Sequence, residues 1–176
     1  MEIKVREPNP NKLNSEGIPQ DFADVRDYFN KSLDRGAFPW IPRKTPITNE
    51  EILSGWIPSL STNISLVAEV EGKVVGSATV FYDLSSTSYE HREQRVVGEL
   101  SSTVSPDTNY KEVSRRLLEG ILEELDSSGR SAVVHVAVES PANQSMKELG
   151  YHGTEIKKEH YAREGMSGKV IRYELP

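Results

Sequence analysis

Residues 95–137, RVVGELSSTVSPDTNYKEVSRRLLEGILEELDSSGRSAVVHVA, contain two apolar stretches with an amphipathic stretch between them. Arg95–Val104 is predicted to be a strand that ends at Ser105-Pro106-Asp107. Ala132–Val138, apolar on both faces, is predicted to be a central strand with helices on either side. The segment between them predicts a helix of about four turns, because these apolar residues have helical spacing: Tyr110, Val113, Leu117, Leu118, Ile121, Leu122 and Leu125. A helix between two such strands is the usual crossover of a parallel pair, which predicts a mixed α/β sheet.

The N-terminal part of the chain adds one strand and two helices. Ile3–Glu7 alternates apolar and charged residues, as a half-buried strand does. Apolar residues spaced by three and four predict an amphipathic helix over Phe22–Leu33. Thr48 and Glu51 form a capping-box pattern. A short helix should therefore begin there and end before Pro58, because proline removes a helical hydrogen bond.

A hairpin and a C-terminal pair of strands complete the predicted sheet. Ser65–Val70 and Lys73–Tyr82, separated by Glu71-Gly72, have the pattern of a tight β-hairpin. The other predicted segments are a polar loop at Ser85–Gln94, a short helix from Ser140-Pro141 to Leu149, and strands at Gly153–Arg163 and Lys169–Leu175 joined by a turn at Glu164–Gly168. The predicted element order is β-α-α-β-β-β-α-β-α-β-β.

Length, charge and cysteine content narrow the class of protein. A chain of 176 residues is expected to form one domain, spanning residues 1–176. With 21 basic and 27 acidic residues the net charge is −6, so we expect no nucleic-acid partner. The sequence has no cysteine, which excludes disulfides, thiolate zinc sites and cysteine nucleophiles, and we predict no metal site. Since no long apolar stretch is present, we expect a cytoplasmic protein with no membrane partner.

Four segments together form a pattern that a known family shares: Gly98-Glu99-Leu100, Thr103–Asp107, Leu117-Leu118 and Lys147–Tyr151. With them the chain resembles the GNAT superfamily of N-acetyltransferases, and the likeness covers almost the whole chain. The resemblance implies a GNAT-like acyl-CoA N-acyltransferase fold, α/β with a mixed sheet, and acetyl-CoA as the cofactor. It also implies that the pantetheine of that cofactor pairs with the backbone of Ser102, Thr103 and Val104, where neighbouring strands separate.

The loop that would hold the pyrophosphate departs from the family pattern. In the family, Arg or Gln follows the proline and is succeeded by two variable residues, Gly, one variable residue, and Gly or Ala. The resemblance places six residues on these positions, followed by Arg115: Asn109, Tyr110, Lys111, Glu112, Val113 and Ser114. Backbone amides at such a helix start bind anions. Glu112 puts a carboxylate at the place of a glycine, where it would repel phosphate.

Two interpretations of this loop stay open. Asn109 and Glu112 also have the spacing of a capping box, in which Glu112 would occupy the amides that a phosphate needs. In the other interpretation, the side chains of Lys111, Arg115 and Arg116 hold the phosphates and Glu112 points to solvent.

Glu99 is the candidate catalytic residue. In many relatives an acidic residue on this strand takes a proton from the acceptor amine, and the resemblance implies this role for Glu99. A general base must reach that proton within about 3 Å. The alternative is an ordinary carboxylate on the solvent side of a strand.

Other candidate residues have less specific patterns. The family's usual general acid is a tyrosine at the position of Met146, so Tyr151, Tyr161 or water would have to protonate the departing thiolate. His135 lies on an apolar strand, and we expect it to be a core residue rather than a catalyst.

The connection after the first helix has two equally supported interpretations. Phe38 and Trp40, with Arg43 and Lys44 nearby, either line an acceptor pocket or pack the loop onto the domain.

The sequence is compatible with two functions. The first is an acetyl-CoA-dependent N-acetyltransferase that acts on a primary amine, of a small molecule or a peptide, by direct attack. The second is a catalytically inactive GNAT-fold protein that binds a partner. Self-association as a homodimer, through the last strands or the Phe38–Trp40 region, is open in either case.

Overall fold

The protein is described by a computed structural model over residues 2–37, 43–82, 90–92, 95–163 and 166–176. The strands in this part of the chain are β1 (Lys4–Arg6), β2 (Ile64–Val70), β3 (Lys73–Phe81), β4 (Glu90–Arg92), β5 (Arg95–Val104), β6 (Ser131–Ala137), β7 (Thr154–Arg163) and β8 (Met166–Leu175). The helices are α1 (Gln20–Asp34), α2 (Asn49–Glu51), α3 (Ile57–Ser59), α4 (Tyr110–Ser128) and α5 (Pro141–Glu148), with a π-helical turn, Ile52–Trp56, between α2 and α3.

The strands form one mixed sheet in the order β1-β2-β3-β5-β6-β8-β7, and β4 pairs with β5 outside this path. β5 and β6 are parallel and are connected by α4, whereas the other recorded pairs are antiparallel. The predicted mixed α/β sheet around a parallel pair is therefore confirmed. The predicted hairpin is also present, and Glu71 and Gly72 at its turn have φ values of 51° and 80°, as a type I′ turn requires.

Apolar clusters cover both faces of the sheet. Leu66 and Ala68 belong to the cluster under α4, whereas Val67 belongs to the cluster under α1. This division follows from the alternation of side chains along a strand. α4 lies close to the sheet at Gly76, where a Cβ atom would approach Val113 Cγ1 to 2.9 Å.

The helix that was predicted to end before Pro58 continues to Ser59. In its π-helical turn, the Ile57 N–H donates to the carbonyl of Ile52, five residues back. This wider turn changes which carbonyls face the proline, so Pro58 is accommodated at the start of α3 instead of ending the helix.

Two predicted loops are shorter than expected. Residues 90–92, inside the predicted loop Ser85–Gln94, form β4 against the start of β5; an edge strand need not be apolar, so composition did not reveal it. β8 begins at Met166 rather than at Lys169, and Met166 pairs with Arg163. Gly168 lies inside β8 and has a φ of 75°. The glycine therefore belongs to an irregularity within the strand, and the turn predicted at Glu164–Gly168 extended too far.

Candidate active site

The parallel strands β5 and β6 separate in the middle of the sheet. Their pairing runs from Val97 opposite Ser131 to Leu100 opposite Val134 and is recorded no further. Beyond that point β5 stays paired with β3 and β6 stays paired with β8. A cavity of about 370 Å³ opens between the two strands. Ser102 is exposed in this cavity although its strand is central.

The backbone groups that face the separation follow from the phase of the β3–β5 ladder. The Ser105 N–H donates to the Val75 carbonyl at 2.7 Å, so alternate residues of β5 turn their polar groups toward β3. Thr103 belongs to the set that faces β3. The N–H and carbonyl groups of Ser102 and Val104 therefore point to the side where β6 has left the sheet. Of the three residues predicted to pair with pantetheine, two have suitable backbone groups.

Thr103 has a different role, because Tyr28 of α1 binds it. The Tyr28 hydroxyl donates to the Thr103 carbonyl at 3.1 Å and lies 2.9 Å from Thr103 Oγ1. Burial raises the pKa of Tyr28 to about 12, so this hydroxyl stays protonated. The contact attaches α1 to β5 next to the cavity.

Glu99 and His135 meet where the strands begin to separate. Glu99 Oε1 lies 2.9 Å from His135 Nδ1, and both side chains line the cavity. The side chain of His135 is 7% exposed and that of Glu99 is 23% exposed. When the carboxylate is ionised it only accepts hydrogen bonds, and Nδ1 then carries the proton in this contact. The interpretation of His135 as a core residue is incomplete, because it is buried but it contacts the candidate base.

Gly98, next to Glu99 in β5, lets the side chains of Val80 and Tyr82 pack directly against the strand. A Cβ atom at Gly98 would lie 2.5 Å from Val80 Cγ1 and 2.8 Å from the ring of Tyr82. A side chain there would therefore displace β3 or the Tyr82 ring. The glycine explains how the tyrosine can cover the strand immediately before the candidate base.

The start of α4 has half of the predicted capping box. Asn109 Oδ1 accepts a hydrogen bond from the Glu112 N–H at 3.3 Å. The Glu112 carboxylate instead accepts two hydrogen bonds from Arg115, at 2.6 and 3.2 Å. The hydrogen bond and charge of Arg115, with the charge of Arg116, lower the pKa of Glu112. Glu112 is therefore ionised and turned along the helix rather than back onto its amides.

The cations of this region are also paired within the chain. Lys111 Nζ lies 2.8 Å from Glu148 of α5, and Arg115 lies 2.6 Å from Glu119. They do not converge on the helix start, as one interpretation of the loop required. Among the first helical N–H groups, that of Lys111 has no recorded acceptor within the described residues, so one amide is open to an anion.

The position of the usual general acid is apolar. Met146 is buried and lines the cavity. Tyr151 packs against the apolar cluster under α4, and the side chain of Tyr161 lies outside the described part of the structure. Tyr110 also lines the cavity; burial raises its pKa, while a hydrogen bond with Ser114 opposes that rise.

A second cavity of about 250 Å³ lies on the α1 face of the sheet. It shares Phe81 and residues 101–103 with the first cavity, so the two meet at β5. Arg43 lines it, whereas Phe38 and Trp40 lie outside the described residues. Both interpretations of those two aromatic residues, acceptor pocket and loop packing, stay predictions.

The sequence identifies Glu99 and His135 separately, but it does not reveal that they are in contact. The parallel register places Glu99 opposite Val133, and His135 lies two residues further on the same strand face. Had the register been known, this adjacency would have been visible. Nothing in the local sequence of either strand specifies it.

Within the described part of the chain, no cluster of three or more His, Asp or Glu side chains has a geometry for a metal ion. No helix of that part is long and apolar enough to cross a membrane.

No family model matches the sequence, and no curated protein matches it. Solved structures match its fold at low sequence identity. A GNAT superfamily phosphinothricin acetyltransferase from Sinorhizobium meliloti, in complex with acetyl-CoA, gives a TM-score of 0.75 at 17% identity, with 100% of this chain and 89% of that chain covered. This chain has the GNAT acetyltransferase fold.

Two other GNAT-fold matches agree with this assignment. A ribosomal-protein-alanine N-acetyltransferase from Brucella melitensis gives a TM-score of 0.72 at 18% identity, with 97% of this chain and 98% of that chain covered. A spermidine N-acetyltransferase from Vibrio cholerae, in complex with CoA and spermine, gives 0.69 at 17% identity, with 98% and 94% covered. The predicted GNAT-like fold is confirmed.

Proposed function

We propose that this chain is an acetyl-CoA-dependent N-acetyltransferase that transfers an acetyl group to a primary amine by direct attack. The observation that carries the proposal is the Glu99–His135 contact, which lines the first cavity where β5 and β6 begin to separate. The Glu99 carboxylate is held by a buried histidine beside an open strand edge. This environment differs from that of an ordinary carboxylate on the solvent side of a strand. The fold of the matched acetyltransferases agrees with this function.

The residues at the separation fit the cofactor. The backbone groups of Ser102 and Val104 would hold the amides of pantetheine, and Leu117, Leu118 and Met146 form an apolar wall along the cavity. The start of α4 would hold the pyrophosphate: the residues proposed there are Asn109, Tyr110, Lys111, Glu112, Val113, Ser114 and Arg115. When bound, acetyl-CoA supplies a thioester carbonyl that a neutral amine can attack.

The chain's own residues would act on the amine. Glu99 accepts a proton from the attacking nitrogen, because an amine must lose one proton to become an amide. His135 donates from Nδ1 to Glu99 Oε1 and thereby keeps the carboxylate in one orientation. The departing thiolate needs little assistance, since a thiol has a pKa near 8.5, and water in the open cavity can protonate it.

The geometry of Glu112 removes one argument for the inactive alternative. The inactive interpretation relied on a carboxylate that covers the helix amides, and Glu112 lies on Arg115 instead. The amine-bearing partner is a small molecule or a peptide. A homodimer, a single domain over residues 1–176 and cytoplasmic localisation stay predictions.

The test is amine-dependent release of free thiol from acetyl-CoA by the purified protein, with a panel of primary amines. Transfer that requires the amine, and that Glu99→Gln slows about 100-fold or more, supports the proposal. Glu155→Gln is the control, because Glu155 is an exposed strand carboxylate paired with Lys169. If no amine is acetylated while acetyl-CoA binds, the inactive alternative is correct.

A further inference from the structure

The wall of the second cavity is apolar. It is formed by Phe22, Val25 and Phe29 of α1, and by Ile47, Trp56 and Leu60 of the segment that includes the π-helical turn. Phe22 and Trp56 pack edge to face, with ring centroids 5.8 Å apart, which gives the wall a fixed aromatic surface. Such a wall binds an apolar group through burial of its surface.

The charged residues at this cavity neutralise each other. Arg43 donates to both oxygens of Glu51, at 2.6 and 2.8 Å, and also to the carbonyls of Thr45 and Pro46. The Arg43 hydrogen bond lowers the pKa of Glu51 against the effect of burial, so the pair stays ionised and closed. The charges of Arg43 and Glu51 are therefore used within the pair and do not attract a charged ligand.

The floor consists of small hydroxyl side chains on β2, β3 and β5. Most of them bind one another: Ser65 Oγ lies 3.2 Å from Thr79 Oγ1, and Ser77 Oγ lies 3.2 Å from Thr103 Oγ1. Ser101 has no recorded side-chain partner among the described residues, and it lies where the two cavities meet. The polar end of the cavity is thus at the junction, and the apolar end is away from it.

We infer that the acceptor is a primary amine with a compact, uncharged apolar body, about the size of one aromatic ring. This inference rests on the proposed function. The amino group would lie at the junction near Ser101, and the apolar body would lie against Phe22 and Trp56. A dry cavity of roughly 150 Å³ holds a benzene molecule, so about 250 Å³ is enough for a ring with a short chain. Apolar surroundings also favour the neutral form of an amine, which is the nucleophile.

The experiment compares four amines as ligands and as substrates: benzylamine, isopentylamine, spermidine and glutamate. Binding in the presence of CoA is measured by calorimetry, and transfer is measured by thiol release. We expect kcat/KM for the two apolar amines to exceed that for spermidine and glutamate on the order of 100-fold. Equal values, or a preference for spermidine or glutamate, would overturn the inference while supporting acetyl transfer. Binding of the apolar amines without any transfer would support the pocket and contradict the proposed function.

A pair of variants locates the binding. Leu60→Glu adds a carboxylate to the apolar wall, whereas Leu53→Glu adds one to an exposed position of the same helical segment, where Leu53 is 49% exposed. Benzylamine binding should weaken about 10-fold or more in Leu60→Glu and stay unchanged in Leu53→Glu. Ser59→Asp, on the same wall, serves as a second variant if Leu60→Glu does not fold. Identical effects of Leu60→Glu and Leu53→Glu would show that the amine binds elsewhere.

Discussion

Glu99 Oε1 and His135 Nδ1 are 2.9 Å apart, on either side of the last recorded β5–β6 pair, Leu100 opposite Val134. The chain runs from β5 through the whole of α4 before it reaches β6, yet the parallel register places the two residues on one face of the sheet. This contact holds a carboxylate at the edge of the cavity where backbone groups of Ser102 and Val104 are available. The proposed chemistry depends on it.

Replacing the candidate base should stop transfer without preventing cofactor binding. In Glu99→Gln, kcat/KM for an amine should fall by about 10²- to 10⁴-fold, because proton acceptance is lost and shape is kept. Acetyl-CoA affinity should be unchanged within error. Steady-state kinetics and calorimetry on the same preparation measure both quantities, and Glu155→Gln should match the unmodified protein. Full activity in Glu99→Gln would remove Glu99 from the mechanism.

His135 is a positioning residue, so its replacement should change the pH profile as well as the rate. His135→Leu should lower kcat about 10- to 100-fold, because the carboxylate is no longer held in one orientation. It should also move the acidic limb of the pH–rate profile to higher pH, since the ionised carboxylate loses a hydrogen-bond donor. His135→Gln, which can donate, should recover part of kcat. If the limb does not move and His135→Gln recovers nothing, the histidine has only a packing role.

Much of the fold could be predicted because its signals are local. The apolar stretch of β6, the spacing of α4 and the Glu71-Gly72 turn each depend on a few neighbouring residues. The elements that were predicted wrongly depend on partners distant in the chain or on rare backbone geometry. Pro58 is tolerated by a π-helical turn, and β4 exists because β5 offers it an edge.

The candidate site could be predicted only in part for the same reason. Glu99 was found through the resemblance, whereas its partner His135 is 36 residues away and requires the strand register. Glu112 had two locally reasonable orientations, and the choice depends on Arg115 one turn along α4. Neither outcome follows from spacing alone.

Neutralising Glu112 should strengthen CoA binding. Glu112→Gln removes an anion from the first turn of α4 and releases Arg115 and Arg116 from their pairing with it. We expect the Kd for CoA to fall a few-fold, and more at low salt, where charge interactions are less screened. Glu119→Gln is the matched control, because Glu119 also pairs with Arg115 but lies two turns further from the helix start. Equal effects of the two variants would show that general charge, not the position of Glu112, controls affinity.

Acid sensitivity of the fold should depend on Asp21. Burial opposes its ionisation, but the hydrogen bonds and charge of Arg6 and the Asn9 N–H outweigh burial and lower the pKa of Asp21. A lowered pKa stabilises the fold above the unfolded value near 3.9, and this contribution is lost as pH falls toward the folded value. Asp21→Asn should therefore reduce the free energy of unfolding by about 2–3 kcal/mol at pH 7.

Denaturant unfolding at pH 7 and at pH 2.5 checks this prediction. The difference between the unmodified protein and Asp21→Asn should be large at pH 7 and should shrink at low pH. Asp27→Asn provides the control, because Asp27 is 61% exposed in its pairing with Arg26. A difference that stays constant with pH would mean that Asp21 stabilises the fold by packing rather than by its charge.

The most direct test of the account is calorimetric titration of the protein with acetyl-CoA, with CoA in parallel. The geometry of β5, β6 and the start of α4 predicts binding in the micromolar range, about −8 kcal/mol. Substituting Ser102 by proline, which removes a backbone N–H that faces the separation, should weaken it. Absence of heat up to millimolar acetyl-CoA would contradict the account, because it would show that the gap between β5 and β6 does not bind the cofactor.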